Sequence, residues 1–216
     1  MKILYLFRNA LIAFLDFSVG IFVVLAGSLV TGREASIVYY IIGGALALAP
    51  DFDVFYMYLK RGKIYGDHHQ YFTHRPMVGL PLAALIGFAI GGLFWGVMTI
   101  ICIFWHYIHD TEGPTGGGGI AWFWPFSEKY RSPWKTSSPE KSLSGQAIGR
   151  QDKLLDSEWL APSAKSVSEL ATGTMLFSVA AGNLFNWLIG TVCAMIIWLG
   201  IASVWSAYSK FKARSL

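Results

Sequence analysis

Four long apolar stretches constrain this chain more than any other feature. They cover residues 11–30, 36–49, 77–109 and 172–208. The first carries a single charge, Asp16, and its roughly 20 residues would extend about 30 Å as a helix, the thickness of a hydrocarbon core. The apolar part of a cleaved signal peptide is only about 7–15 residues long. The first stretch therefore predicts a retained transmembrane helix, with its N-terminus in the cytoplasm.

The composition supports a membrane protein. Hydrophobic residues make up 54% of the chain and charged residues only 14%, whereas soluble domains carry about 25% charged residues. The net charge is +4, and most Lys and Arg lie between the apolar stretches, as in cytoplasmic loops. Anionic membrane lipids are therefore the expected partner of this basic charge, and no nucleic acid is expected.

The two longest apolar stretches indicate helical hairpins. Residues 77–109 exceed the roughly 20 residues of one span, and Gly91-Gly92 near the middle predicts a turn. Gly182-Asn183 predicts a similar turn within 172–208. We therefore predict an all-α, polytopic helical integral membrane protein with five or six transmembrane helices, forming a single membrane domain over residues 1–216.

One long polar segment interrupts the apolar pattern. It begins near residue 110 and includes the aromatic strip 122–126, a composition common where a span meets the membrane interface. Its Ser-, Lys- and Pro-rich part, from about residue 127 to 170, predicts a polar surface loop. Recruitment of a partner by this loop is one possible function.

The ionisable side chains are concentrated beside the predicted hairpin of residues 77–109. All five histidines lie between positions 68 and 109. In the predicted topology, the loop 51–76 and the end of the helix at 106–110 share the cytoplasmic face of the membrane. Three polar groups that are distant in sequence are therefore expected to converge there. They contain these six candidate ligands: Asp51, Asp53, His69, His74, His106 and Asp110.

These residue types suit a divalent metal ion. His106 and Asp110 are four residues apart on a helix, so both point to one face. Mixed imidazole and carboxylate ligands favour Zn²⁺, Mn²⁺ or Fe²⁺, and six candidates exceed one tetrahedral site, so two ions are conceivable. Each residue also has a simpler interpretation, as a solvated histidine, a turn or cap residue, or a hydrogen-bonded pair. Polar groups at membrane depth are costly and usually functional, which favours the metal site.

Four short motifs in this order resemble those of a known family. They are Pro50-Asp51-Phe52-Asp53, residues 69–74 (His-Gln-Tyr-Phe-Thr-His), residues 106–110 (His-Tyr-Ile-His-Asp) and Trp124-Pro125-Phe126-Ser127. The chain resembles the YdjM-like family of LexA-regulated, membrane-bound metal-dependent hydrolases over about residues 48–127. The resemblance implies metal binding by the six candidate ligands. Gln70-Tyr71 replaces the Arg-Gly usual in that family, and Arg75 stands where a small hydroxyl residue is common.

The expected function is a metal-dependent hydrolase at the inner-membrane surface. Its substrate would be an ester or phosphoester of a lipid or lipid-linked molecule, with Zn or Mn as cofactor and with Asp53, His74 and Asp110 as catalytic residues. The alternatives are a non-catalytic protein with a structural or sensing metal site and a metal-ion transporter. Transport is disfavoured because the predicted spans contain few polar residues. The sequence leaves the oligomeric state open.

Two neighbours of the candidate ligands have two interpretations each. Thr73 either orients His74 through its hydroxyl or caps a helix. Arg75 precedes Pro76 at a predicted helix N-terminus, where it either binds an anion or anchors the chain at the membrane surface, and the anchor is favoured.

Overall fold

The described part of the protein is mostly helical. The computed structural model describes residues 2–61, 69, 71–111, 119–131, 136–137 and 159–213. Six α-helices are present in this part of the chain: α1 (Lys2–Thr31), α2 (Ile37–Ala47), α3 (Phe52–Arg61), α4 (Pro76–Thr111), α5 (Ala164–Leu184) and α6 (Trp187–Ala213). Two short 3-10 helices cover Ala49–Asp51 and Phe72–His74. An antiparallel pair of two-residue strands, β1 (Tyr130–Arg131) and β2 (Thr136–Ser137), completes the regular structure. The predicted all-α class is confirmed.

Fewer helices qualify as membrane spans than the sequence predicted. By length and composition alone, three described helices could cross a bilayer: Leu6–Thr31, Pro76–Thr111 taken across its break, and Trp187–Ala213. A fourth candidate is a bent pair, Ile37–Ala47 with Ala49–Lys60, whose two parts meet at 61°. The described part of the chain therefore has three to four candidate spans, fewer than the five or six that the sequence predicted.

Helix α4 breaks where the sequence predicted a turn. Gly91 and Gly92 have non-helical backbone angles, and Gly92 has a φ of 70°, which favours glycine. The chain then folds back on itself. A side chain at Gly87 would meet Thr99, and one at Gly96 would meet Phe88. The predicted hairpin is thus confirmed, with a first arm over 76–90 and a second arm over 93–111.

Short or polar helices explain the lower number of spans. The first arm of α4 extends only about 22 Å at 1.5 Å per residue, less than a hydrocarbon core. Helix α5 is 21 residues long, but Lys165, Glu169 and several hydroxyl residues lower its hydropathy. The predicted second hairpin exists, with α5 and α6 joined at Phe185-Asn186 rather than at Gly182-Asn183.

The chain divides into two compact units. The first contains the described parts of residues 1–42 and 153–216, and the second those of 43–152. In the first unit, α5 packs against both α1 and α6. Its core is centred on Trp159, Leu170 and Ile201, and the indole Nε1 of Trp205 donates to the carbonyl of Trp159 at 3.0 Å.

The second unit is built around the α4 hairpin. Ile103, Tyr107 and Ile120 form its buried cluster, and Leu80 and Ala83 of the first arm pack against it. Most of the predicted surface loop over 127–170 lies outside the described residues. In its last part, Trp159 and Leu160 are buried and α5 begins at Ala164.

Candidate metal centre

Asp51 and Asp53 lie at the junction between α2 and α3. Helix α2 ends at Ala47, and the 3-10 helix Ala49–Asp51 follows with proline in its first turn. The amide of Asp51 donates to the carbonyl of Leu48 at 3.0 Å. Asp51 therefore ends one short helix and Asp53 lies in the first turn of the next, so these two nearby carboxylates point in different directions.

His74 ends the second 3-10 helix. The amide of His74 donates to the carbonyl of Tyr71 at 3.1 Å, and Arg75 then adopts an extended conformation, as expected of a residue before proline. The His74 side chain is fully buried. This local geometry directs the imidazole inward and lets α4 begin at Pro76.

The second arm of α4 supplies the other two groups. His106 and Asp110 are one helical turn apart, with His106 Nε2 3.2 Å from Asp110 Oδ2. The neighbouring Tyr107 donates its hydroxyl to the carbonyl of Thr73 at 2.7 Å. This bond fixes the second arm of α4 against the segment that carries His74.

Four donor atoms from these segments converge. Asp51, His74, His106 and Asp110 each offer one atom, and all four atoms lie within 4.8 Å of one another. His74 Nε2 lies 3.4 Å from Asp51 Oδ1 and 3.3 Å from Asp110 Oδ2. His106 Nε2 lies 3.5 Å from the same Asp51 oxygen. We call these four residues the metal cluster.

The spacing within the metal cluster fits a bound divalent cation. The four histidine–aspartate contacts are 3.2–3.5 Å long. A tetrahedral ion with bonds of about 2.0–2.1 Å places its ligand atoms about 3.3–3.4 Å apart. Two imidazole nitrogens and two carboxylate oxygens at this spacing could hold one divalent ion.

Asp53 and Thr73 support His74 from the other side of its ring. Asp53 Oδ2 lies 3.2 Å from His74 Nδ1, and the Thr73 hydroxyl donates to the same oxygen at 2.7 Å. A carboxylate at Nδ1 keeps the proton on that nitrogen and leaves Nε2 to bind a cation. Asp53, a predicted ligand, therefore lies outside the metal cluster, whereas Thr73 has the orienting contact that the sequence suggested.

The remaining three histidines, of which only His69 was a predicted ligand, differ in their placement. His69 Nε2 lies 3.6 Å from Asp110 Oδ2, so this predicted ligand lies at the edge of the metal cluster. The ring of His109 stacks on Trp105 at a centroid distance of 6.2 Å, and His109 does not belong to the metal cluster. His68 lies outside the described residues.

Electrostatics at His74 reflect this crowding of carboxylates. Burial alone would lower the pKa of His74, but contacts with Asp110, Asp51 and Asp53 outweigh it and raise the pKa to about 10. Without a cation, the imidazole would therefore carry a proton at neutral pH. The negative charge that attracts this proton would equally attract a metal ion.

Sequence reasoning missed the residues that join the hairpin to the rest of the centre. Besides Tyr107, the hydroxyl of Thr111 donates to the carbonyl of Tyr107 at 2.6 Å. The same hydroxyl accepts from the indole Nε1 of Trp122 at 2.8 Å. A usable signal was present, since Tyr107 and Thr111 are themselves four residues apart and directly follow the His106–Asp110 pair.

The fold and centre define a class of protein: a helical membrane protein with a buried histidine–aspartate cluster that could bind a metal ion. Within that class, the chain belongs to the YdjM inner membrane protein family, whose family model matches residues 16–209. This confirms the family suggested by the ordered motifs and places the protein in the inner membrane. Neither a curated protein nor a solved structure matches the chain.

Proposed function

We propose that this inner-membrane protein is a metal-dependent hydrolase that cleaves an ester or phosphoester of a lipid or lipid-linked substrate at the membrane surface. The observation that carries this proposal is the spacing of the metal cluster, with four histidine–aspartate contacts of 3.2–3.5 Å. Such a donor set suits Zn²⁺ or Mn²⁺. When bound, the ion supplies Lewis acidity, which polarises an ester or phosphoryl oxygen and makes water more acidic.

The residues of the chain have separate tasks in this proposal. His74 and His106 hold the cation through Nε2, and Asp51 and Asp110 balance its charge. Asp53 orients His74 by accepting a hydrogen bond from its Nδ1–H group. Of the sequence-predicted catalytic residues, His74 and Asp110 therefore act as ligands and Asp53 as a positioning residue.

Access to the centre is expected beside Asp51. The Asp51 side chain is 32% exposed, whereas the imidazoles of His74 and His106 are at most 1% exposed. A substrate and its attacking water would therefore arrive on the Asp51 side. A second ion would draw on His69, with Asp110 as the shared carboxylate.

A second candidate function rests on the number of ligands. Catalytic zinc sites usually have three protein ligands and an open position, whereas structural sites have four. Four side chains meet in the metal cluster, which favours a structural or sensing metal. The partial exposure of Asp51 favours the hydrolase, because a substrate could reach the metal cluster from that side.

One experiment separates the two functions. The protein would be purified into phospholipid nanodiscs, loaded with zinc or manganese, and incubated with phospholipids, aryl phosphodiesters and carboxylic esters. The hydrolase proposal predicts turnover that requires the ion, disappears in His106→Ala and persists in the matched control His109→Ala. One bound ion per chain with no turnover on any of these substrates would refute the hydrolase and support the structural or sensing role.

A further inference from the structure

Helix α3 has its apolar side chains on the outside. Phe52, Phe55, Tyr56 and Leu59 recur at spacings of three and four residues, so they share one face of the helix. All four are exposed, Phe55 by 67% and Leu59 by 85%. The face turned toward the protein contains Asp53 and Met57, both buried. We call the exposed set the outward face of α3.

The outward face of α3 is suited to contact with the membrane rather than with water. Four large apolar side chains on one exposed face would be unfavourable in water, but the protein belongs to the inner membrane. Helix α3 has ten residues and extends about 15 Å, half of a hydrocarbon core, so it cannot cross the bilayer alone. A short helix with one apolar face typically lies in the boundary between headgroups and acyl chains.

The positive charge of Lys60, near the end of α3, also fits a position at the boundary between headgroups and acyl chains. Lys60 Nζ donates to the Tyr56 hydroxyl at 3.2 Å and lies 5.5 Å from the centre of that ring. Tyrosine with lysine at the end of an apolar surface is characteristic of membrane interfaces. The ammonium group complements anionic lipid headgroups, which attract basic residues near the surface.

A second group of aromatic side chains lies next to His74. Phe72, two residues before His74, is exposed and packs edge-on against Trp124 at 6.4 Å. The Arg75 guanidinium carbon lies 5.5 Å from the centre of a Trp124 ring, and Phe126 is 83% exposed. Exposed aromatic side chains thus occur on α3, which carries Asp53, and on the segment that carries His74.

We propose that the outward face of α3 binds the headgroup–acyl boundary of the bilayer and thereby holds the metal cluster at the depth of lipid ester and phosphate groups. Asp51 immediately precedes α3 and Asp53 belongs to it, so the depth of this helix sets the depth of both carboxylates. The substrate class that follows is a bilayer-resident phospholipid, cleaved at its headgroup side. This last step rests on the proposed hydrolase function, whereas the position of α3 does not.

Spin labelling tests the position of α3 without any activity. Single cysteines would replace Phe55 or Leu59 in a Cys102→Ala, Cys193→Ala background, reconstituted into vesicles of phosphatidylethanolamine and phosphatidylglycerol. The matched references are Ile196→Cys in the candidate span α6 and Lys129→Cys on an exposed segment. Collision rates with oxygen and with a water-soluble nickel chelate are expected to place both α3 labels between the two references. Labels as accessible to nickel as that at position 129, or as deep as that at position 196, would overturn the proposal.

The proposal that the substrate is a bilayer-resident phospholipid is tested by comparing the turnover of two substrates. Phe55→Ser combined with Leu59→Ser is expected to reduce turnover of phospholipid vesicles by about tenfold or more, because it removes the apolar area that the boundary covers. Turnover of a water-soluble aryl phosphodiester should not change. Leu188→Ser with Leu199→Ser, on the exposed surface of α6, is the matched control and should affect neither substrate. Equal losses on both substrates in the α3 variant would contradict a membrane-docking role. If the wild type cleaves neither substrate, the hydrolase proposal fails and the spin-label depths alone decide the position of α3.

Discussion

The two compact units of this protein both bury ionisable side chains, but they do so in different ways. In the first unit, Arg8 and Asp16 are 3% and 4% exposed on the same helix, about 12 Å apart along its axis. In the second unit, two carboxylates and two imidazoles bring their donor atoms within 4.8 Å of one another. The first unit spreads its buried charge, whereas the second concentrates it.

The difference indicates what each unit depends on. Burial of an ionised group costs several kcal/mol unless it is well compensated, and a concentrated cluster is compensated most effectively by a cation. In the first unit the helices pack closely, as where Gly173 of α5 approaches Phe14 and Leu15 of α1. We therefore expect metal binding to respond to changes in the second unit and not to equivalent changes in the first.

The largest effect is expected for His106→Ala. This change removes one of two imidazole ligands, so the metal content of the purified protein should fall from about one ion per chain to almost none. The control His109→Ala, one helical turn away and stacked on Trp105, should keep its metal. Elemental analysis of both variants decides the matter, and equal metal contents would count against the cluster.

Asp53→Asn should have the next largest effect. The amide can no longer compensate a positive His74 ring, and loss of such an orienting carboxylate usually weakens metal binding by about 10–100-fold. Asp16→Asn is the matched control, since it neutralises a buried aspartate of the first unit. Competition with a zinc chelator would measure both affinities. An equal decrease in both variants would contradict a specific role for Asp53.

A smaller effect is expected for Tyr107→Phe. It removes the hydrogen bond from the tyrosine hydroxyl to the carbonyl of Thr73, a loss of about 1 kcal/mol, so the metal affinity should fall by about fivefold. Tyr40→Phe makes the same chemical change in the first unit, where the hydroxyl donates to Asn183 Oδ1 at 3.2 Å. If Tyr40→Phe weakens metal binding as much as Tyr107→Phe does, the comparison between the units is wrong.

The smallest effect on metal binding is expected for Gly190→Ala. A side chain at this position would lie 2.5 Å from the carbonyl oxygen of Ser178 and 3.1 Å from the amide of Gly182, so α5 and α6 must separate. We expect a loss of stability of about 1–3 kcal/mol with unchanged metal content. Thermal unfolding in detergent and elemental analysis would measure the two effects, and metal loss in this variant would show that the site depends on helix packing in the first unit.

The sequence was sufficient to find the metal cluster because ionisable side chains beside apolar stretches are energetically unfavourable and therefore conspicuous. Their spacing and the hairpin predicted at Gly91-Gly92 were enough to group Asp51, His74, His106 and Asp110. Their division into ligands and supporting residues was not predictable. Asp51 and Asp53 are alike in the sequence, and only the change from a 3-10 helix to α3 between them directs one toward the cluster and the other toward His74 Nδ1.

The number of spans was predicted less well because the length of an apolar stretch does not show whether its helix crosses the membrane. The apolar stretch 77–109 was correctly divided at Gly91-Gly92, but its first arm is shorter than a hydrocarbon core. Helix α5 is long enough to span, yet it begins with a serine capping box at Ser163 and Ser166 and contains an ion pair between Lys165 and Glu169 at 3.9 Å. The short first arm of α4 and the polar start of α5 both depend on where each helix begins. The apolar stretches alone do not specify these positions.

X-ray absorption spectroscopy of the zinc-loaded protein in lipid nanodiscs tests the central claim most directly. The metal cluster predicts one ion per chain, bound by four nitrogen or oxygen atoms at about 2.0–2.1 Å, with the multiple scattering of two imidazoles. His74→Ala should remove one imidazole contribution or the bound ion itself. A spectrum with sulfur ligands, or one that His74→Ala leaves unchanged, would contradict the claim.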